Sequence, residues 1–218
     1  MAGIIKANTI QLGDSATATQ NFVLQTNVDG TAKLARGNQG ATTQDILTID
    51  ANGLVTLTQG RQLTNSTAIT TTSGTTAAFT SIPSWVKRIT MNITGMGTSG
   101  TNRPIIQLGS TTFTTTGYVG AVSALAAAAV TTIATDTNGA SLNTAWASTV
   151  RQSGSIVFSL QTGNTWDFSG QMGRTDAVQL IVVSGSIPLA GVLDRIQLTT
   201  TTGTDTFTAG SVNIMYEG

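Results

Sequence analysis

The sequence contains neither cysteine nor histidine, and charged residues make up only 9% of its 218 residues. Without cysteine the chain has no disulfide, no thiolate nucleophile and no thiolate metal ligand. Without histidine it lacks the commonest general base and the commonest metal ligand. These absences make most hydrolase and metalloenzyme mechanisms unlikely and leave paired carboxylates, lysine chemistry or a cofactor. The sequence contains no phosphate loop, dinucleotide fingerprint or calcium loop, so we predict no metal site and no cofactor.

Charge is scarce and balanced, since the chain has ten lysine and arginine residues and ten aspartate and glutamate residues. Proteins that bind nucleic acid or anionic membranes need a surplus of basic residues. We therefore expect no nucleic-acid partner. The most apolar stretch, 121–130, is too short for a membrane span, so no membrane insertion is expected. The first residues lack the pattern of a secretory signal, which predicts synthesis in the cytoplasm.

Threonine forms about a fifth of the chain, and short runs alternate apolar and polar residues. Within 1–65 these runs are separated by turn signals such as Asp29-Gly30 and Asn52-Gly53, whose residue types tolerate positive φ angles. Strands so short and so poor in aromatic residues bury little surface in one layer. The sequence predicts an N-terminal β-hairpin segment over 1–65 that gains surface by oligomerisation or, alternatively, packs on its own chain.

The later part of the chain has the same β-pattern at regular spacing. We predict a Thr/Ser-rich connector over 66–77 and a C-terminal domain over 78–218. Many short strands with no amphipathic helix between them predict an all-β fold, here an antiparallel β-sandwich of jelly-roll-like type. The last strands, within 194–218, are expected to form a β-hairpin. The alanine-rich 124–130 is expected to be either a short helix, since alanine favours helices, or a packed loop at a subunit contact.

Large aromatic side chains are scarce, so those with polar neighbours are candidates for a ligand surface. Sugars stack a C–H face on an indole or phenol ring and form hydrogen bonds with nearby amides. We therefore predict a receptor-binding surface made of Trp146, Trp166, Asn143, Asn164 and Tyr118. Each tryptophan has an alternative role as a core or interface anchor, and this role is favoured for Trp85, behind a proline turn, and for Trp166.

Four aspartates of the C-terminal domain could in principle supply a carboxylate pair, which glycoside hydrolysis requires. They are Asp167, Asp176, Asp194 and Asp205. Asp194 and Asp205 lie in turn-forming contexts, and Asp194 is followed by Arg195, a hydrogen-bonding partner. The only glutamate of the sequence, Glu217, stands at its end. We therefore predict no catalytic residue and no enzyme activity.

Several dispersed motifs, which together cover most of the chain, carry a family resemblance. In the later part they are Ile82-Pro-Ser-Trp-Val-Lys-Arg-Ile-Thr, Gly117-Tyr-Val-Gly, Thr162-Gly-Asn-Thr-Trp, Leu193-Asp-Arg-Ile-Gln-Leu-Thr-Thr and Gly203-Thr-Asp-Thr-Phe-Thr-Ala-Gly-Ser-Val-Asn-Ile-Met-Tyr-Glu. In the opening they are Ile10-Gln-Leu-Gly-Asp, Leu34-Ala-Arg-Gly and Gln44-Asp-Ile-Leu-Thr-Ile-Asp. The later motifs resemble the C-terminal domain of tail-fibre-like proteins of tailed bacteriophages, and the opening is similar to the segment that precedes it.

The resemblance implies a virion protein that forms a homotrimer. Its N-terminal segment would attach to other virion proteins, and its C-terminal domain would face the host. The implied function is a structural tail fibre that contributes to recognition of a host surface polysaccharide. Because the chain lacks collagen-like repeats, heptads and a long shaft, a capsid-bound head fibre or decoration protein is the alternative. A polysaccharide-cleaving tail enzyme is the second alternative.

Overall fold

The fold is all-β, as predicted, and the chain divides into two compact units, Met1–Gln62 and Leu63–Gly218. The computed structural model describes residues 9–13, 16–17, 21–27, 30–38, 41–57 and 63–218. Within these residues every regular element is a β-strand, and the strands pair in antiparallel sheets. The predicted connector, 66–77, lies within the second unit, where it contains the strand β7 (Ile69–Thr70).

The first unit is a five-stranded meander in which each strand pairs with the next along the chain. Its strands are β1 (Thr9–Leu12), β2 (Phe22–Thr26), β3 (Ala32–Asn38), β4 (Ala41–Ile49) and β5 (Val55–Leu57). Gly30 and Gly53 have φ angles of +83° and +82°, in the region that glycine tolerates best. Before Gly53 the Asp50 carboxylate accepts hydrogen bonds from the backbone N–H groups of Asn52 and Leu54, which fixes the β4–β5 turn. Asp29 lies outside the described residues.

The second unit is a β-sandwich of two sheets. The larger sheet contains β6 (Leu63–Asn65), β7 (Ile69–Thr70), β9 (Arg88–Thr98), β12 (Val119–Ala126), β13 (Ala129–Ala134), β15 (Gln152–Leu160), β16 (Thr165–Arg174), β17 (Gln179–Pro188) and β19 (Phe207–Glu217). Its neighbour order is β13-β12-β17-β16-β15-β9-β19-β6, and β7 also pairs with β19. The smaller sheet contains β8 (Ala77–Thr80), β10 (Pro104–Ser110), β11 (Thr112–Phe113), β14 (Ala140–Ser141) and β18 (Arg195–Thr200). Its order is β11-β10-β18-β8, with β14 on β10.

Alternation along the strands produces the core between the two sheets. In β9 the buried residues Ile89, Met91 and Ile93 alternate with polar residues that are exposed or half-buried. Ile196 and Leu198 of β18 contribute buried side chains from the smaller sheet. Burying one such side chain is worth about 1.5–3 kcal/mol. The period-two pattern of the sequence therefore corresponds directly to core-facing and outward-facing positions.

The hairpin predicted over 194–218 is wrong, because its two strands lie in different sheets. β18 pairs with β10 and β8, whereas β19 pairs with β9, β6 and β7. The turn between them carries the chain from one sheet to the other. Both strands direct alternate residues into the same core, so their patterns are those of a hairpin although they are not hydrogen-bonded to each other.

The short helix considered for 124–130 is wrong as well. These residues form the tight end of the β12–β13 hairpin, in which Leu125 pairs with Val130 and Ala126 with Ala129. On its other side β12 pairs with β17 along its whole length. Sheet pairing on both sides of β12 outweighs the helix propensity of alanine, which is small for each residue.

Candidate functional site

The three aromatic residues predicted to bind a receptor are buried in the second unit. Trp146 donates its indole N–H to Thr98 Oγ1 at 2.7 Å, and Trp166 is only 2% exposed. The Tyr118 hydroxyl accepts a 2.7 Å hydrogen bond from the backbone N–H of Leu108. Burial raises the pKa of Tyr118 well above its usual value, although this hydrogen bond partly opposes the change. The ring faces are therefore inaccessible to solvent, which corrects the predicted receptor surface.

The two predicted amides are no better placed to bind a ligand together. Asn143 is buried, and its side-chain oxygen accepts a hydrogen bond from the Thr144 N–H. Asn164 is half-buried and lines a cavity of about 60 Å³ beside Trp166. Small-molecule sites commonly have volumes of about 300–1,000 Å³. This cavity is therefore too small for a sugar residue.

Three of the four candidate aspartates hold loops in place. Asp176 accepts hydrogen bonds from the Arg174 side chain and from the Arg151 backbone N–H, and Asp194 is held by Arg195. The hydrogen bond from Arg174 lowers the pKa of Asp176 well below its ordinary value, and Arg195 lowers that of Asp194. Asp205 accepts hydrogen bonds from the backbone and side chain of Asn102 at 2.9 and 2.8 Å.

Acidification should weaken the second unit because the pKa values of Asp176 and Asp194 are lowered in the fold. A pKa that is lower in the folded chain than in the unfolded chain stabilises the fold above the ordinary value of 3.8, and this stabilisation is lost as the pH falls further. Below about pH 4, we expect the urea concentration at the midpoint of unfolding to decrease as the pH falls. In a D176N/D194N variant this decrease should be less steep. The D167N variant is the control. An unchanged pH dependence in the double variant would contradict the assignment.

The outer face of the larger sheet, the face turned away from the core, carries short and mostly uncharged side chains. One row crosses seven strands and consists of Thr132, Ser123, Val182, Gln171, Ser155, Asn92 and Asn213. Beside this row the face has a shallow depression of about 500 Å³, which extends to Ser159, Asp167 and Ser186. The charged residues Asp167, Arg88 and Glu217 share one row at one end, where Arg88 and Glu217 form a 3.1 Å ion pair.

The sheet of the first unit has one apolar face. Residues directly opposite one another across neighbouring strands point to the same side, which aligns five aliphatic side chains across all five strands. This apolar row consists of Ile10, Leu24, Leu34, Leu47 and Leu57. Ile10, Leu34 and Leu47 are half-buried, and Leu24 is 44% exposed. Phe22 and Leu12 on one side of the row, and Ile49 and Val55 on the other, are also exposed or half-buried.

The opposite face of this sheet is different. It carries the fully buried Val23 and Ala35 and the Lys33–Asp45 ion pair, which spans 3.1 Å. The side without the ion pair is therefore the side with the larger uncovered apolar surface. Sequence analysis identified the alternating runs but missed the apolar row, because alternation assigns residues to a face without giving the register between strands.

Some kinds of site find no support in the described residues. No group of three or more acidic side chains is close enough there to hold a metal ion. No helix in that part of the chain is long and apolar enough to cross a membrane. Comparison of the chain with protein-family models, with curated proteins and with solved structures found no match.

Proposed function

We propose that the protein is a structural fibre component of a tailed-phage virion, assembled as a homotrimer. Its role is structural: it links virion proteins and displays a binding surface, and it catalyses no reaction. The observation that carries the proposal is the apolar row of the first unit, in which Ile10, Leu24, Leu34 and Leu47 are exposed or half-buried. The motifs shared with tail-fibre-like proteins support the virion setting and the number of three chains.

The apolar row favours assembly for an energetic reason. Apolar surface removed from water stabilises an assembly by about 25 cal/mol for each Å². A sheet with one apolar face reaches a stable state when that face packs on another layer. A second copy of the same sheet provides such a layer, because the row is aliphatic in every strand. The Lys33–Asp45 ion pair of the sheet lies on the opposite face. Most assemblies of identical chains have closed symmetry, and a homotrimer is one of them.

The two units then have separate roles. The first unit joins the copies and attaches to other virion proteins. The second unit displays its loops and its outer face to a host surface polysaccharide. That face offers serine hydroxyls and the Asp167 carboxylate around the shallow depression, all of them groups that form hydrogen bonds with sugar hydroxyls. Three copies bind a repetitive polysaccharide more strongly than one, so each single contact is weak.

The mass of the full-length protein in dilute solution tests the proposal first. Light scattering should give three times the 22.3 kDa of one chain. A monomer would contradict the proposal. A second experiment adds the trimer to a panel of bacterial surface polysaccharides and to purified phage capsids. Binding to a polysaccharide supports the tail-fibre role, whereas binding to capsids alone supports the head-fibre or decoration alternative.

A further inference from the structure

The strand β13 ends the larger sheet with a long free edge. It has six residues, of which five are exposed, and it pairs on one side with β12. The other outermost strands of the sandwich are shorter, with three residues in β6, four in β8 and two in β11. Short edge strands are a common protection against pairing with another chain. β13 lacks this protection.

Its chemistry offers no other protection. Its sequence is Ala-Val-Thr-Thr-Ile-Ala, and the whole stretch 119–135 contains no charged residue and no proline. The pairing between β12 and β13 runs without a register shift, so no bulge turns the edge away. Proteins usually guard exposed edges with lysine, proline or bulges, and β-branched residues such as Val130 and Ile133 favour strand pairing. Among the described residues no strand pairs with the outer edge of β13, so the N–H and C=O groups on that edge can accept a further strand.

An apolar patch lies next to this edge on the outer face of the larger sheet. It consists of Leu125, Val130 and Leu180, which align across β12, β13 and β17, and of Val182, two residues along β17 on the same face. All four side chains are exposed, and Val130 at the edge itself is 68% exposed. A strand added to β13 would cover part of this patch as well as the edge. The edge and the patch form one continuous surface for a partner.

We propose that this surface binds a second copy of the same chain, through antiparallel pairing of β13 with β13. A partner strand that covers the whole edge must be about as long as β13, and among the edge strands of the sandwich only β13 itself has six residues. A twofold axis perpendicular to the sheet aligns the two strands antiparallel and keeps both outer faces on the same side. Thr132 or, in the alternative register, Thr131 then lies opposite its counterpart in the second copy.

This pairing goes beyond the proposed function. The apolar row joins chains through the first unit, whereas β13 joins chains through the second unit. Each twofold contact links two assemblies, so the mass should rise with protein concentration above the mass found in dilute solution. The number of chains that the first unit holds together does not affect the prediction. A virion protein with both contacts would form an array of linked trimers.

Cysteine scanning tests the pairing directly, because the chain contains no cysteine of its own. The full-length variants T131C and T132C each introduce one thiol at the two positions that a twofold axis brings together. After mild oxidation we expect one of them to form disulfide-linked chain pairs several-fold faster than V192C, an exposed control. The same result is expected in a chain that also carries L34E, because that change acts on the first unit. Equal rates in all three variants would overturn the proposal.

A charge variant gives an independent measure. Lysine at both Thr131 and Thr132 places like charges across the axis in either register, which opposes pairing. The doubly substituted protein should keep its dilute mass as concentration rises, while the wild-type mass should rise to at least twice its dilute value. A T72K/V192K variant adds the same charge at exposed sites away from the edge and should behave like the wild type. If the wild-type mass is independent of concentration, the proposal is wrong.

Discussion

Replacing Leu34 by glutamate should separate the assembled protein into single chains. Leu34 lies at the centre of the apolar row, between Leu24 and Leu47. In the single chain it is half-buried, so the new carboxylate stays in contact with water and the sheet can still fold. In the assembly the same carboxylate would be buried without a partner, at a cost of about 4 kcal/mol or more. This cost corresponds to a loss of about a thousandfold in the association constant.

Light scattering on the full-length variant measures this effect. We expect a fall from the mass of three chains to the mass of one, with an unchanged circular dichroism spectrum. The matched control is T48E, because Thr48 lies one residue from Leu47 and faces the side that carries Lys33. That variant should keep the wild-type mass. A trimeric L34E protein would show that the apolar row is not the contact between chains.

Replacing Trp166 by alanine should cost about 3–5 kcal/mol of folding stability. The indole is almost fully buried in the core, beside other buried residues such as Phe168 and Ile187. Its removal leaves a large cavity between the two sheets, which neighbouring side chains fill only in part. Urea unfolding of the full-length protein at one fixed concentration measures the loss, since assembly makes stability depend on concentration.

The control for this substitution is W85A. Trp85 is half-buried and lies 5.8 Å from the ring of Tyr216, measured between ring centroids. Because the Trp85 ring is already partly exposed, its replacement removes less buried apolar surface than W166A does. The loss of stability should therefore be clearly smaller than for W166A. A loss below about 1 kcal/mol for W166A would contradict the buried position of this ring. It would also make Trp166 a candidate for the ligand surface again.

The strands of this protein could be predicted from its sequence better than their partners. Alternation identified the strands at Ile89–Ile93 and Val212–Tyr216, and both lie where the pattern placed them. The pattern shows that one side of a strand is buried, but it does not show which strand lies alongside. The turn between β18 and β19 was for this reason taken as a hairpin turn, whereas it connects the two sheets.

The candidate surfaces were harder to predict than the fold. A tryptophan beside asparagine in the sequence has the composition of a sugar site, yet Trp146 and Asn143 are both buried. Burial depends on the pairing of distant strands, which local composition does not encode. The apolar row depends on register in the same way, because Ile10 and Leu57 belong to one row only through three intervening strands. Edge exposure of β13 likewise follows from its position in the sheet.

The topology of the two sheets has a consequence for the order of folding. In the first unit each strand pairs with the strand that follows it, so only short loops must close. In the second unit β19 pairs with β9, and more than a hundred residues separate the partners Thr98 and Phe207. Closure of long loops is entropically costly and slows folding. We therefore expect the meander to form first, so that in the proposed assembly its apolar face would bring chains together while the sandwich is still incomplete.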